Sequence, residues 1–201
     1  MTTRAHLQDI DLTIRSLTGE SDRSRPFLCT GSPIGCEVAE VGINPAVNTP
    51  FWPFWSTASG CNKEGWLQDY EKSGRRKPTR DRIEVLVRNL DPLRLLELNL
   101  YHRISPRLED LEKDHRDPAL FNYLLTTCKP KVLLVHGQKP TTHLEKLFGV
   151  QLPRGKFTSV VYQGGSLEVF RAERHFAYVS RDYVVSVAQE IKAHLARQFR
   201  P

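Results

Sequence analysis

Apolar residues at Leu7, Ile10, Ile14 and Leu17 recur at helical spacing and predict an N-terminal helix ahead of a loop from Gly19 to Pro26. The run Glu37 to Ile43 (EVAEVGI) predicts a short strand that stops at Asn44-Pro45, because Pro cannot donate a ladder hydrogen bond. A long loop rich in aromatics and glycine follows. From Thr79, read as a cap, Ile83, Leu86, Val87 and Leu90 mark one helical face.

Leu93 to Leu100 (LRLLELNL) predicts a second apolar strand. Asp117 at a cap and Pro118 at the first helical position then open a helix that turns Leu120, Phe121, Leu124, Leu125 and Cys128 inward. Lys131 to His136 (KVLLVH) reads as the clearest buried strand, with His136 packed at the sheet end. A short helix from Thr141 or Thr142 ends at Gly149. Thr158 to Tyr162 and Leu167 to Arg171 flank Gln163-Gly164-Gly165-Ser166, which predicts a hairpin or two successive strands. The last helix runs from Arg181 to Phe199, capped by Ser180. Strands alternating with helices predict an α/β fold: a three-layer α/β/α sandwich around a mainly parallel sheet of about four strands. The expected organisation is a single domain over residues 1–201, with 1–26 an N-terminal helix and loop.

Composition narrows the class. The 201 residues carry 29 Lys and Arg against 23 Asp and Glu, a net charge of +6, and 39% are hydrophobic, enough to fill a core. No apolar run reaches membrane-spanning length and the N-terminus lacks the regions of a secretory signal, so no membrane and a cytoplasmic location are expected. Cys29, Cys36, Cys61 and Cys128 form no CxxC pair and read as reduced structural thiols. The segment Tyr70 to Arg82 (YEKSGRRKPTRDR) holds six basic and two acidic residues, which makes Arg75, Arg76, Lys77 and Arg80 candidates for phosphate contact, or equally a solvated loop.

Ligands of open α/β sheets bind outside the carboxyl ends of the strands. Three such ends carry polar groups: Asn44, Asn99 and His175. Singly they also read as a turn former, a satisfied buried amide and a surface residue. Together they resemble a known family. Gly42-Ile43-Asn44-Pro45-Ala46 after a strand looks like the first motif of the uracil-DNA glycosylase superfamily, closest to the GINPG or GMNPG form of its mismatch-specific and single-strand-selective branches. The aromatic stretch Phe51-Trp52-Pro53-Phe54-Trp55 follows, Leu95-Leu96-Glu97-Leu98-Asn99 is similar to the strand whose Asn reads the uracil edge, and Arg174-His175 stands where the second motif, commonly HPS, belongs. Ala46 replaces the usual Gly, and Phe176-Ala177 replaces the Pro and Ser.

The resemblance implies a uracil-DNA glycosylase-like domain and a metal-independent, monofunctional hydrolase for DNA repair by base excision. It would remove uracil or another damaged base by cleaving the N-glycosidic bond. A flipped base is read by edge hydrogen bonds and stacking. Asn99 would match the uracil edge, Phe51 or Phe54 would stack on the base, and Gly42 and Ile43 would line the pocket. A neutral His175 would donate to the uracil O2 as negative charge develops there, while Asn44, whose amide does not titrate, would orient the attacking water. The partner would be DNA, single-stranded or duplex with a damaged base, bound by a monomer. The histidines show no metal-ligand spacing and the cysteines do not match the superfamily's iron-sulfur branch, so neither metal nor cofactor is expected. Two other readings use the same residues: a non-catalytic nucleic-acid-binding protein that keeps the fold, and a hydrolase of nucleotides or free nucleosides.

Overall fold

A computed structural model describes residues 3–72, 74 and 77–198. In chain order the elements are α1 (Thr3–Thr18), β1 (Thr30–Gly31), β2 (Val38–Gly42), β3 (Trp55–Ser56), β4 (Gly60–Asn62), α2 (Lys63–Lys72), α3 (Pro78–Leu90), β5 (Leu95–Asn99), α4 (Ala119–Cys128), β6 (Val132–Val135), α5 (Gln138–Phe148), β7 (Lys156–Tyr162), β8 (Gly165–Arg171) and α6 (Arg181–Gln198). The larger sheet has the order β5-β2-β6-β8-β7, five strands where the sequence pattern indicates about four. β2, β6 and β8 run parallel, and β7 returns antiparallel to β8, so the fold is α/β with a mainly parallel sheet.

The chain gathers into two compact units. The first comprises the described residues of Met1–Gly35, Gly42–Gly74 and Leu96–Lys129; the second comprises those of Cys36–Val41, Arg75–Leu95 and Pro130–Pro201.

In the second unit, Val38 pairs with Val132 and Leu134 with Phe170, which aligns apolar side chains across neighbouring strands. Period-two alternation sends that set to one face. There Leu86 and Leu90 of α3 and Val184, Val187 and Ile191 of α6 close over it, each no more than 1% exposed. Each such burial contributes about 1.5–3 kcal/mol against the exposed chain. Ser180 Oγ accepts the Tyr183 N–H at 3.1 Å, the predicted cap of α6. The β7–β8 connection is a hairpin: Tyr162 faces Gly165, and Gln163 and Gly164 both have positive φ (50° and 74°), as a two-residue primed turn requires.

In the first unit, Leu7, Ile10 and Ile14 of α1 are buried as predicted, whereas Leu17 is 39% exposed and Thr18 takes the inward place. The segment read as a long loop contains structure: β3 and β4 join β1 in a small antiparallel sheet, and α2 follows directly. The inward face of α2 is Lys63, Trp66 and Tyr70, too few apolar positions to register as a periodic stripe. Lys63 is tolerated there because its ammonium meets the buried Glu97 carboxylate at 2.7 Å.

Helix starts differ from the sequence pattern by one to four residues. Lys77, not Thr79, precedes α3, whose first residue is Pro78. Asp117 does accept the Ala119 N–H at 2.9 Å, but Pro118 is the flanking residue of α4. α5 begins at Gln138, ahead of Thr141. All four cysteines are buried and none is in a disulfide, and among the described residues no helix is long and apolar enough to cross a membrane.

Candidate functional site

The second unit carries a cleft of about 310 Å³ at the carboxyl ends of β6 and β8, lined by Gly137, Arg154, Arg171, Arg174, His175 and Tyr178, among others. The chain leaves β8, turns at His175 and enters a short 3₁₀ turn over Phe176–Tyr178. His175 caps that turn: its Nδ1 accepts the Ala177 N–H at 3.1 Å, and its carbonyl accepts the Tyr178 N–H at 2.9 Å. A ring whose Nδ1 is an acceptor carries its proton on Nε2 when neutral. Burial first, and the neighbouring His136 second, lower the His175 pKa from 6.5 to about 4, so at neutral pH the ring is an uncharged Nε2–H donor. Nε2 itself has no protein partner among the described residues.

Two features hold that geometry. Phe176 is wholly buried and anchors the turn, while Arg82 of α3 donates to the Val179 carbonyl at 2.9 Å just beyond it. Gly137, at φ +90°, lets the His175 ring approach: a Cβ there would lie 3.1 Å from His175 Cδ2. The cleft lining carries three arginines, Arg154, Arg171 and Arg174, against one acid, Glu173, and Arg171 also lies 3.8 Å from Glu145. Arg171 spends its guanidinium on the Leu152 carbonyl at 2.7 Å, whereas the exposed Arg154 and Arg174 make no ion pair among the described residues. Tyr178 is 78% exposed, with its ring centroid 5.9 Å from that of His175.

Behind His175 lies a pair that the sequence pattern did not single out as functional. His136 closes the β6 strand at 1% exposure, and its Nε2 is 2.5 Å from Oε1 of Glu40 on β2, itself 3% exposed. The His136 ring stacks on Phe176 (4.4 Å, 7°) and sets its edge toward His175 (4.6 Å, 77°). The signal was available: Glu40 is a charge inside the apolar run VAEVG, and a titratable residue also ends the neighbouring apolar strand. Adjacent buried strands holding one acid and one imidazole predict a pair.

The first unit holds the motif loop. Gly42 and Ile43 offer their carbonyls to the N–H groups of Leu100 and Tyr101, both at 2.9 Å, so Asn44 and Asn99 stand at adjacent strand ends. Asn44 Nδ2 donates to the Ser105 carbonyl at 2.7 Å and the Pro45 carbonyl at 3.2 Å. Those bonds fix the amide and leave its Oδ1 as an acceptor without a protein donor among the described residues. Asn99 is 9% exposed, and its amide makes no protein hydrogen bond among the described residues. Such a group is costly to bury unless something polar meets it.

Two sequence candidates are corrected. Phe51 is 0% exposed, packed against Phe27, Trp52 and Trp55 with centroids 5.1–5.9 Å away, so it has no face open to a base. The partly exposed Phe54 remains of the two. Arg80 is buried with its guanidinium 2.9 Å from Glu84, which withdraws its charge from any phosphate. Lys77 is exposed; Arg75 and Arg76 lie outside the described residues. Among the described residues no group of three or more His, Cys, Asp or Glu is arranged to hold a metal ion. No protein-family model matches the sequence and no curated protein matches it, so the reading of these residues rests on their geometry and their motifs.

Proposed function

We propose that the protein is a DNA glycosylase that hydrolyses the N-glycosidic bond of uracil or another damaged base, within a three-layer uracil-DNA glycosylase-like fold. The observation that carries the reading is the state of His175, an uncharged ring whose Nε2–H meets no protein acceptor among the described residues, beside a cleft lined by three arginines and one glutamate. Bond cleavage leaves negative charge on the departing base, and a fixed neutral donor stabilises it more as the bond breaks than before. Arg154 and Arg174 suit a phosphodiester backbone. Among the described residues Asn44 Oδ1 and the Asn99 amide have no protein partner; the first suits a water that must be aimed rather than deprotonated, the second the donor and acceptor of a base edge. In this reading the protein acts as a monomer on DNA. Four buried cysteines outside any disulfide suit a reducing compartment such as the cytoplasm.

The test is base release from labelled single-stranded and duplex oligonucleotides carrying uracil, hypoxanthine or xanthine. Release that falls in both Asn44→Ala and His175→Ala is the expected result and names the base. Salt-sensitive binding without release would favour the non-catalytic nucleic-acid-binding reading, for which the unpaired arginines of the cleft suffice. Turnover of free nucleosides with little salt dependence would favour the third.

A further inference from the structure

Glu40 and His136 are buried ionisable groups, one of them in contact with the cleft-lining His175, that the proposed reaction does not use. Their cost is considerable: a carboxylate and an imidazole are removed from water at a strand end where apolar side chains would pack as well. The pair also leaves His136 Nδ1 buried with no hydrogen-bond partner among the described residues. Packing alone does not require that arrangement, since Phe176 already presents an aromatic face on which any flat ring would stack. What distinguishes the pair is where its far edge points.

We propose that Glu40 and His136 are positioning residues that act through His175: the Glu40 carboxylate anchors the His136 ring at Nε2, and the anchored ring, pressed between Phe176 and His175, holds His175 with Nδ1 on the Ala177 N–H and Nε2 free as the donor. The inference deepens the glycosylase reading and depends on it for the meaning of His175, though not for its own test. The geometry is a relay of contacts from β2 to β6 to the loop after β8. Glu40 to His136 is 2.5 Å, His136 to His175 is 4.6 Å between centroids, and His175 Nδ1 to Ala177 N is 3.1 Å. A ring rotated by a few tens of degrees would break the last of these and free both tautomers.

The charged and titratable groups around His175 come from each neighbouring element: His136 at the end of β6, Arg171, Glu173 and Arg174 at and after β8, Arg154 before β7, and Tyr178 in its own turn. Arg82 approaches the same loop from α3. His136 is the one that, after burial, holds His175 down. Removing it therefore raises the His175 midpoint.

Imidazole ¹⁵N spectra of the full chain, recorded against pH, test this without any substrate. In the parent, His175 is expected as the Nε2–H tautomer with a midpoint at about 4. Glu40→Gln keeps an acceptor for His136 Nε2–H and is expected to keep that tautomer. The double variant Glu40→Leu, His136→Phe replaces the pair with apolar groups of similar shape, a change that preserves folding in other buried pairs. It is expected to raise the His175 midpoint above about 4 and to mix its tautomers. On a uracil oligonucleotide, kcat of the double variant falls about tenfold with KM little changed, as expected of a displaced donor. A folded double variant with the parent His175 spectrum, or a Gln variant that loses it, would overturn the inference. An inactive parent that gives the expected spectra would overturn only the glycosylase reading.

Discussion

The second unit contains two Glu–His pairs built alike. Glu40 meets His136 at 2.5 Å with the ring stacked on Phe176, and Glu168 meets His194 at 3.0 Å with the ring stacked on Phe157. Both acids sit inside strands at 3% exposure. The rings differ in what lies beyond them. His194, on the amphipathic face of α6, ties a helix to the sheet and has 13% of its side chain exposed, so water can complete its hydrogen bonds. His136 is sealed, and its remaining edge meets His175. The same pairing therefore serves docking in one place and orientation in the other, and surroundings rather than residue type make the difference.

The largest effect belongs to His175 itself: His175→Ala is expected to lower kcat for base release by about 10²–10³ with the fold intact, as loss of one oxyanion donor does. Gly137→Val comes next, since its Cβ meets the His175 ring and its φ of +90° is strained for a branched residue; melting is expected to show a loss of about 2 kcal/mol or more, and the His175 spectrum a displaced ring. His194→Ala should cost about 1–2 kcal/mol by denaturant unfolding while leaving the His175 tautomer and midpoint untouched. A shift of His175 in that variant would erase the distinction between the pairs. Acid adds a milder test. The folded pKa of His175 is lowered from 6.5 to about 4, so between those values the unfolded chain binds a proton that the folded chain refuses. Stability is therefore complete above about 6.5 and declines as the pH falls toward 4, and less so in the Glu40→Leu, His136→Phe variant. The smallest effect is Lys77→Ala, expected to weaken oligonucleotide binding a few-fold at most and to reduce the salt slope by about 1 if Lys77 meets a phosphate.

Much of this was legible in the chain and some was not, for physical reasons. Strands β2, β5 and β6 and helix α6 declare themselves because each buries a continuous apolar run or stripe. Asn44, Asn99 and His175 stand out in the sequence because they follow or end apolar runs, where a polar group has no core role to fill. Helix α2 was missed because two of its three inward side chains are Trp66 and Tyr70 and the third is a lysine made tolerable only by Glu97, a residue far along the chain. Phe51 and Arg80 were misjudged for a related reason. An aromatic in a loop and an arginine in a basic run look available until their tertiary partners, Phe27 and Trp55 for one and Glu84 for the other, are in place. Glu40 and His136 were visible as titratable residues in apolar runs, but pairing them needed the adjacency of two parallel strands, which periodicity does not supply.

In the proposed reaction a neutral, oriented His175 drives release of a base. Single-turnover cleavage of a uracil-containing oligonucleotide at neutral pH, parent beside His175→Ala, tests it most directly. The account predicts release by the parent and a loss of about a hundredfold or more in the variant, with binding nearly unchanged. Equal rates in the two proteins would contradict it.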